Sequence, residues 1–256
     1  GQGRLPAVLA NSFDEPPLVA SLEGFAPDGL SVDMTFRIEH LGSFLTELGG
    51  KGISEVCFAG AVRRPPLDPS VIDAATMPLV PRIMQALQVG DDAALRVVLE
   101  IFEEAGISIR AAHDVLPELL PDAGVITTTP LSPTAERDSV RAAEIVAVLG
   151  AADVGQACAV KAGQALALEG SYGTDWMLGS LAQRPDSGGG VFYKAPKPGQ
   201  DRRIDLPTIG PETVRAAAAA KLDGVVIEAS GVMVLDLEGT VKAADDLRMF
   251  IWVRQP

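Results

Sequence analysis

From Pro17 the chain reads Pro17-Leu-Val-Ala-Ser-Leu22, then His40-Leu-Gly-Ser-Phe-Leu-Thr-Glu-Leu48, then Ser54-Glu-Val-Cys-Phe-Ala59, and the succession of these runs decides the fold class. The first and third are short and apolar and lead into Gly24 and Gly60, the pattern of parallel strands covered on both faces. In the middle run Leu41, Phe44, Leu45 and Leu48 recur at helical spacing and form one apolar stripe. Strand, helix and strand in this order make a βαβ unit, because parallel neighbours need a crossover long enough to hold a helix. The reading is an α/β protein with a doubly wound sheet.

Outward from there, Asp91 to Glu104 predicts a helix, with Asp91 or Asp92 as cap, a stripe of Leu95, Val98, Leu99 and Phe102, and Gly106 as stop. Ile107 to Ala112 reads as the next strand. Pro121 to Asp138 carries prolines and threonines without a period and reads as a linker. The expected division is an N-terminal domain over 1–122, a linker over 123–138 and a C-terminal domain over 139–256. In the second half, Ala157–Val160 and Ala165–Leu168 flank a hairpin turn at Lys161 to Gln164, and Val191–Ala195 is a further strand. A helix is expected from Pro211 through Ala220, strands at Val225–Glu228 and Val232–Asp236, a helix near Thr240–Leu247 and a last strand at Met249–Val253. This half reads as mixed α/β.

The 256 residues are 47% hydrophobic and 21% charged, enough apolar surface to fold and more length than one core requires. A formal charge of -13 opposes a nucleic-acid partner, since binding a phosphate backbone needs a surplus of Lys and Arg. An anionic small molecule is still admissible where basic residues gather locally. Cys57 and Cys158 sit in apolar runs and read as free thiols, which suits a reducing cytoplasm. No apolar run approaches the roughly 18 to 20 residues of a membrane span. Gly1 to Pro6 resembles the loop after a first strand, so residues preceding Gly1 are expected.

Several clusters are candidates for chemistry. Gly1-Gln2-Gly3 before Leu5-Pro6 could present backbone N–H groups to a phosphate, or could be only a turn. Gly60, Arg63 and Arg64 follow a predicted strand at the end where open α/β sheets place ligands, and the arginines could clamp an anion or simply face solvent. Gly90-Asp91-Asp92 marks a helix start, where capping competes with holding a cation or a ribose hydroxyl. Glu169-Gly-Ser-Tyr-Gly173-Thr174-Asp175 follows a strand, with Thr174 or Asp175 placed to cap a helix or to touch substrate. The strongest signal is Lys194-Ala-Pro-Lys197-Pro-Gly-Gln200-Asp201-Arg202-Arg203-Ile-Asp205-Leu-Pro-Thr208-Ile-Gly210. Four of the chain's 21 basic residues fall in ten positions there, interleaved with carboxylates. Such a loop can neutralise phosphate oxygens while Asp201 and Asp205 hold a hard cation such as Mg²⁺. His40 and His113 lack partners at metal spacing and read as surface or core residues.

In series these blocks resemble the LpxI family over nearly the whole chain. They are the glycine loop with Leu5-Pro6, Val56-Cys-Phe-Ala-Gly60 with Arg63-Arg64-Pro65, Gly90-Asp-Asp92, Gly173-Thr-Asp175, Lys194-Ala-Pro-Lys197-Pro and Arg203-Ile-Asp205-Leu-Pro-Thr-Ile-Gly210. The resemblance implies a Rossmann-like N-terminal domain, a C-terminal domain peculiar to the family and a substrate cleft between them. It also implies Mg²⁺-dependent hydrolysis of UDP-2,3-diacylglucosamine to UMP and 2,3-diacylglucosamine 1-phosphate, with attack at the β-phosphorus. Asp205 is then the catalytic residue, with Asp205 and Asp175 as metal ligands. Substrate contacts are expected at Gly1, Gly3, Gly60, Arg63, Asp92, Gly173, Thr174 and Asp175 in the first blocks, and at Lys194, Lys197, Gln200, Arg203 and Thr208 in the basic one. A diacylated substrate implies transient contact with the inner membrane; a homo-oligomer is left open. Two departures stand out: Tyr172 replaces an acidic residue usual before Gly-Thr-Asp, and Ser230 replaces glycine after Glu228-Ala229. A nucleotide-sugar binding protein without hydrolytic activity is the alternative. A nicotinamide-dependent oxidoreductase is disfavoured because Gly1-Gln2-Gly3-Arg4-Leu5-Pro6 lacks the third glycine of the dinucleotide fingerprint.

Overall fold

The computed structural model describes residues 1–63, 67–89 and 91–256, with the side chains of residues 89, 91 and 92 outside that description. The sequence expectations on Arg64, on Gly90 and on the side chains of Asp91 and Asp92 therefore lie outside the described residues. The chain divides into two compact units, Gly1–Pro117 and Glu118–Pro256.

In the first unit, in chain order, lie α1 (Leu5–Ala10), β1 (Ala20–Leu22), β2 (Met34–Phe36), α2 (Leu41–Gly50), β3 (Glu55–Val56), α3 (Val80–Val89), α4 (Asp91–Glu104), β4 (Ser108–Ile109) and α5 (Ala112–Val115). The strands pair in parallel, β1 with β2 and β3 with β4. The run from Pro17 thus takes its partner from Met34–Phe36, a three-residue strand too short to show a period in sequence. The stripe read in α2 is core: Leu41, Phe44 and Leu48 pack with Ile83, Ile101, Phe102 and Ile107. Phe36 stacks on Phe44 with ring centroids 3.9 Å apart, which fastens β2 to α2. The strand expected over Ile107 to Ala112 ends early, because the Asp114 carboxylate accepts from the Ala111 N–H at 3.3 Å and closes a helical turn.

The second unit holds β5 (Gly124–Val125), α6 (Pro133–Ala151), β6 (Ala157–Lys161), β7 (Gln164–Leu168), α7 (Gly173–Ser180), β8 (Val191–Lys194), β9 (Thr208–Ile209), α8 (Pro211–Ala219), β10 (Gly224–Glu228), β11 (Met233–Val234), α9 (Leu237–Asp246) and β12 (Phe250–Arg254). Six strands form one mixed sheet in the order β5-β12-β10-β8-β6-β7. Strands β8, β10 and β12 are parallel, while β5, β6 and β7 join by antiparallel pairing. Helix α6 covers one face, placing Ala135, Ala142 and Val146 against Cys158, Val160, Tyr193 and Val226. Helices α7, α8 and α9 cover the other, with Leu178, Val214, Ala217 and Ala244 on Phe192, Val225, Ile227 and Ile251. Helices on both faces of this mixed sheet match the mixed α/β reading of the second half, whereas in the first unit, where the doubly wound sheet was expected, the described strands pair only two by two.

The stretch read as a linker contains ordered elements of this unit. Strand β5 pairs with Trp252 and Val253, and Ser132 caps α6 by accepting from the Ala135 N–H at 3.1 Å. Proline at the first turn of α6 hid a helix that the prolines around it made look like loop. The hairpin turn is as expected, with Ala162 and Gly163 at φ 49° and 76°. Buried Asp138 of α6 accepts from both of their N–H groups, at 2.9 and 2.8 Å. Cys57 and Cys158 are free thiols, and burial pushes Cys158 up to about 12 and Cys57 to about 11. No described helix is long and apolar enough to cross a membrane.

Candidate functional site

Strand β8 ends at Lys194 and β7 at Leu168, and both point their carboxyl ends to the same edge of the sheet because β6 is antiparallel to each. This is the edge where α/β sheets collect ligands. The Glu169 N–H bonds the Ala157 carbonyl at 2.9 Å and carries the β6–β7 pairing one residue further, which turns the carboxylate inward. Lys194 is only 5% exposed and Glu169 7%.

Between them stands Thr174, from the first turn of α7. The Lys194 ammonium donates to the Thr174 hydroxyl at 2.5 Å, and the hydroxyl donates to Glu169 Oε1 at 2.5 Å. The direct Lys194–Glu169 approach is longer, at 3.5 Å. The second carboxylate oxygen of Glu169 accepts from the Gln156 N–H at 2.9 Å. Burial presses the Lys194 ammonium to a lower pKa than an exposed lysine, against the charges of Glu169, Asp175 and Asp205. Burial pushes the Glu169 carboxyl the other way, yet the Lys194 charge with the Thr174 and Gln156 bonds outweighs it and holds the group below the usual range.

The expectation that Thr174 or Asp175 caps α7 is corrected. The helix begins at Gly173 behind Tyr172, without a side-chain cap, and the Thr174 hydroxyl turns back to Glu169 instead. Asp175, one residue on, is exposed and acts on Lys194 by charge, as does Asp205. Asp205 Oδ2 accepts from Gln200 Nε2 at 2.5 Å, and Gln200 Oε1 accepts from the Lys197 N–H at 2.9 Å. These bonds fold the basic loop on itself. Lys197 pairs with Asp153 at 2.6 Å, Arg203 grips Asp201 through Nε and Nη2 at 3.0 and 2.7 Å, and the Thr208 hydroxyl donates to the Leu206 carbonyl at 3.4 Å. Glu228 closes β10 at the same edge, with burial raising its carboxyl against the charges of Arg202 and Arg254.

Of the residues named from the sequence, Thr174, Asp175, Lys194, Gln200 and Asp205 are thus linked by contact or charge. Glu169 entered the sequence reading only as the head of its segment; its position directly after an apolar strand was the available signal. Two other candidates meet in the first unit. Gln2 and Ala61 form an antiparallel bridge, with bonds of 2.8 and 2.9 Å, so the Gln2 N–H belongs to a protein carbonyl rather than to a ligand. A Cβ at Gly60, where φ is +84°, would lie 2.5 Å from the Gln2 carbonyl oxygen, and one at Gly1 would lie 2.5 Å from the Gly60 carbonyl carbon. Close backbone approach therefore explains both glycines. Gly3 is half-buried and its carbonyl accepts from the Asp28 N–H at 3.3 Å; Arg63 is exposed.

The departure at Ser230 has a structural cost: its φ is +57°, a left-handed conformation that suits glycine. Gly231 packs closely beside it, since a Cβ there would lie 2.7 Å from Pro196 Cδ.

Comparison with known proteins agrees with this architecture. Residues 1–119 match the LpxI N-terminal domain and residues 122–252 the LpxI C-terminal domain. The chain is 36% identical, over 98% of its length and 94% of the relative's, to a Caulobacter vibrioides protein named UDP-2,3-diacylglucosamine pyrophosphatase LpxI. Two matched domains in order, and one relative aligned almost end to end, place this chain in the LpxI family.

Proposed function

We propose that the protein hydrolyses the pyrophosphate bond of UDP-2,3-diacylglucosamine in lipid A synthesis, with water attacking the β-phosphorus to give UMP and 2,3-diacylglucosamine 1-phosphate, or lipid X. The observation that carries this reading is the buried Lys194 ammonium at the carboxyl end of β8, under the charges of Asp175 and Asp205. A strongly acidic protein that buries a cation beside two carboxylates is arranged to take an anion and a counter-ion together.

Lys194 is assigned to a phosphate oxygen. Lys197 and Arg203 are assigned to the diphosphate as well; each already holds a carboxylate, so binding exchanges one anionic partner for another. Asp205, with Oδ2 fixed by Gln200, keeps its other oxygen for the attacking water or for a cation. The donor set suits Mg²⁺ in kind. Among the described residues no three His, Cys, Asp or Glu side chains gather as a cage, and Mg²⁺ takes one or two carboxylates with water and substrate oxygens. Asp175 and Asp205 would hold it, and the ion would supply Lewis-acid neutralisation of the phosphates.

A diacylated substrate lives in a bilayer, so we assign the enzyme to the cytoplasm, in transient contact with the inner membrane surface. Tyr172 just before α7 and Trp176 on it, 78% and 62% exposed with ring centroids 5.4 Å apart, flank Thr174 and Asp175 in sequence and support that reading. Aromatic rings of this kind settle at headgroup level.

Turnover of UDP-2,3-diacylglucosamine with Mg²⁺ in oxygen-18 water tests the proposal. UMP should appear, with the label in the phosphate of lipid X, and chelation should abolish turnover. Label in UMP would move the attack to the α-phosphorus, and binding without UMP would make the chain a nucleotide-sugar binder. Asp205→Ala should lose turnover while still binding substrate.

A further inference from the structure

We infer that Glu169 is a positioning residue, which aims the Lys194 ammonium through the Thr174 hydroxyl at an anion bound beside Asp175 and Asp205. The inference rests on the phosphate-site reading above and gives a role to a carboxylate outside the proposed catalytic and binding set.

The geometry separates aiming from simple pairing. Were Glu169 only a counter-ion, the short contact would run from carboxylate to ammonium; instead that distance is 3.5 Å and the hydroxyl bridges the two at 2.5 Å on each side. A hydroxyl has one hydrogen. Given to Glu169, it leaves the lone pairs of Thr174 facing Lys194, so the direction of the chain is fixed and each bond polarises the next. Glu169 is itself held at both ends: Oε2 by the Gln156 N–H at 2.9 Å, the backbone N–H by the Ala157 carbonyl at 2.9 Å. Packing adds to this, because a Cβ at Gly155 would come within 2.3 Å of the Glu169 carbonyl oxygen. Lys194 lies opposite Ala157 in the β6–β8 register, so the two charged residues flank the same residue of β6 from its two neighbouring strands. Thr174 and Glu169 take two of the three ammonium hydrogens, which leaves one for a ligand.

Glu169→Gln tests the arrangement sharply, since an amide offers one acceptor oxygen where Gln156 N–H and Thr174 O–H require two. Thr174→Val removes the bridge at similar size; Thr174→Ser keeps it. We expect Glu169→Gln and Thr174→Val each to lower kcat on UDP-2,3-diacylglucosamine about 10- to 100-fold, the usual cost of losing an outer partner of a site residue. The double variant should fall within about twofold of the worse single one, because both act on one chain of bonds. Thr174→Ser should regain at least about tenfold of what Thr174→Val loses. Serine as damaging as valine, or losses that multiply in the double variant, would overturn the inference. Melting curves identify any variant that fails to fold; should Glu169→Gln do so, the serine and valine pair decides. The same set is titrated with UDP, whose diphosphate supplies the anion without lipid. Wild-type protein that binds UDP but leaves the lipid substrate intact defeats the hydrolase reading, and the order of UDP affinities then decides the role of Glu169. Failure of the wild type to bind UDP at all overturns both.

Discussion

Replacing Lys194 by methionine should destabilise the second unit far more than an exposed lysine would. At 3.5 Å and an effective dielectric of about 20, the attraction between Lys194 and Glu169 is about 5 kcal/mol. Desolvating two ions costs several kcal/mol each, so the intact pair contributes little net stability. Removing the ammonium alone is different, because it strands a carboxylate that is 7% exposed and held in place by Gln156 and Thr174. The expected loss is about 3–5 kcal/mol. Adding Glu169→Gln to Lys194→Met removes the stranded charge and should restore more than half of it. Urea unfolding followed by tryptophan fluorescence reports the right unit, since both tryptophans, Trp176 and Trp252, belong to it. A single variant as stable as the wild type, or a double variant weaker than either single one, would refute the reasoning.

Gly60→Ala should cost the first unit about 2–4 kcal/mol, from the left-handed backbone and from opening the Gln2–Ala61 bridge, and hydrogen exchange at Gln2 and Ala61 should quicken. Glu39, 3% exposed and bonded to Arg37 and the Asp68 N–H, has its carboxyl held at about 2, chiefly by Arg37. Its folded-state pKa is depressed, so its contribution is full above about pH 4.5 and is lost as pH falls toward 2. Glu39→Gln should flatten that acid slope in unfolding measured from pH 6 to 2.5. Trp176→Ser should weaken sedimentation with phospholipid vesicles several-fold while leaving UDP binding intact; unchanged sedimentation would take α7 off the membrane face.

Chain order and local pattern were enough for much of this protein. The α/β class followed from apolar runs alternating with the helical stripe of Leu41, Phe44 and Leu48, because burial imposes periods that survive in sequence. The hairpin at Ala162-Gly163 and the start of α8 at Pro211 were legible for a similar reason: turns and caps are chosen within a few residues. Density of charge in an acidic chain likewise drew attention to the loop from Lys194 to Asp205. Only the tertiary structure decided the rest. Strand β2 gains its partner from β1 across a loop, and the stretch over 123–138 contains a short strand and the start of a helix because β12 and a serine cap place them there. Thr174 looks like a cap in sequence and is a bridge in space, because Glu169 waits five residues upstream and Lys194 twenty downstream. Pairing across a sheet edge is set by register and burial, which act between residues far apart in the chain, and no local pattern records which hydroxyl will face which charge.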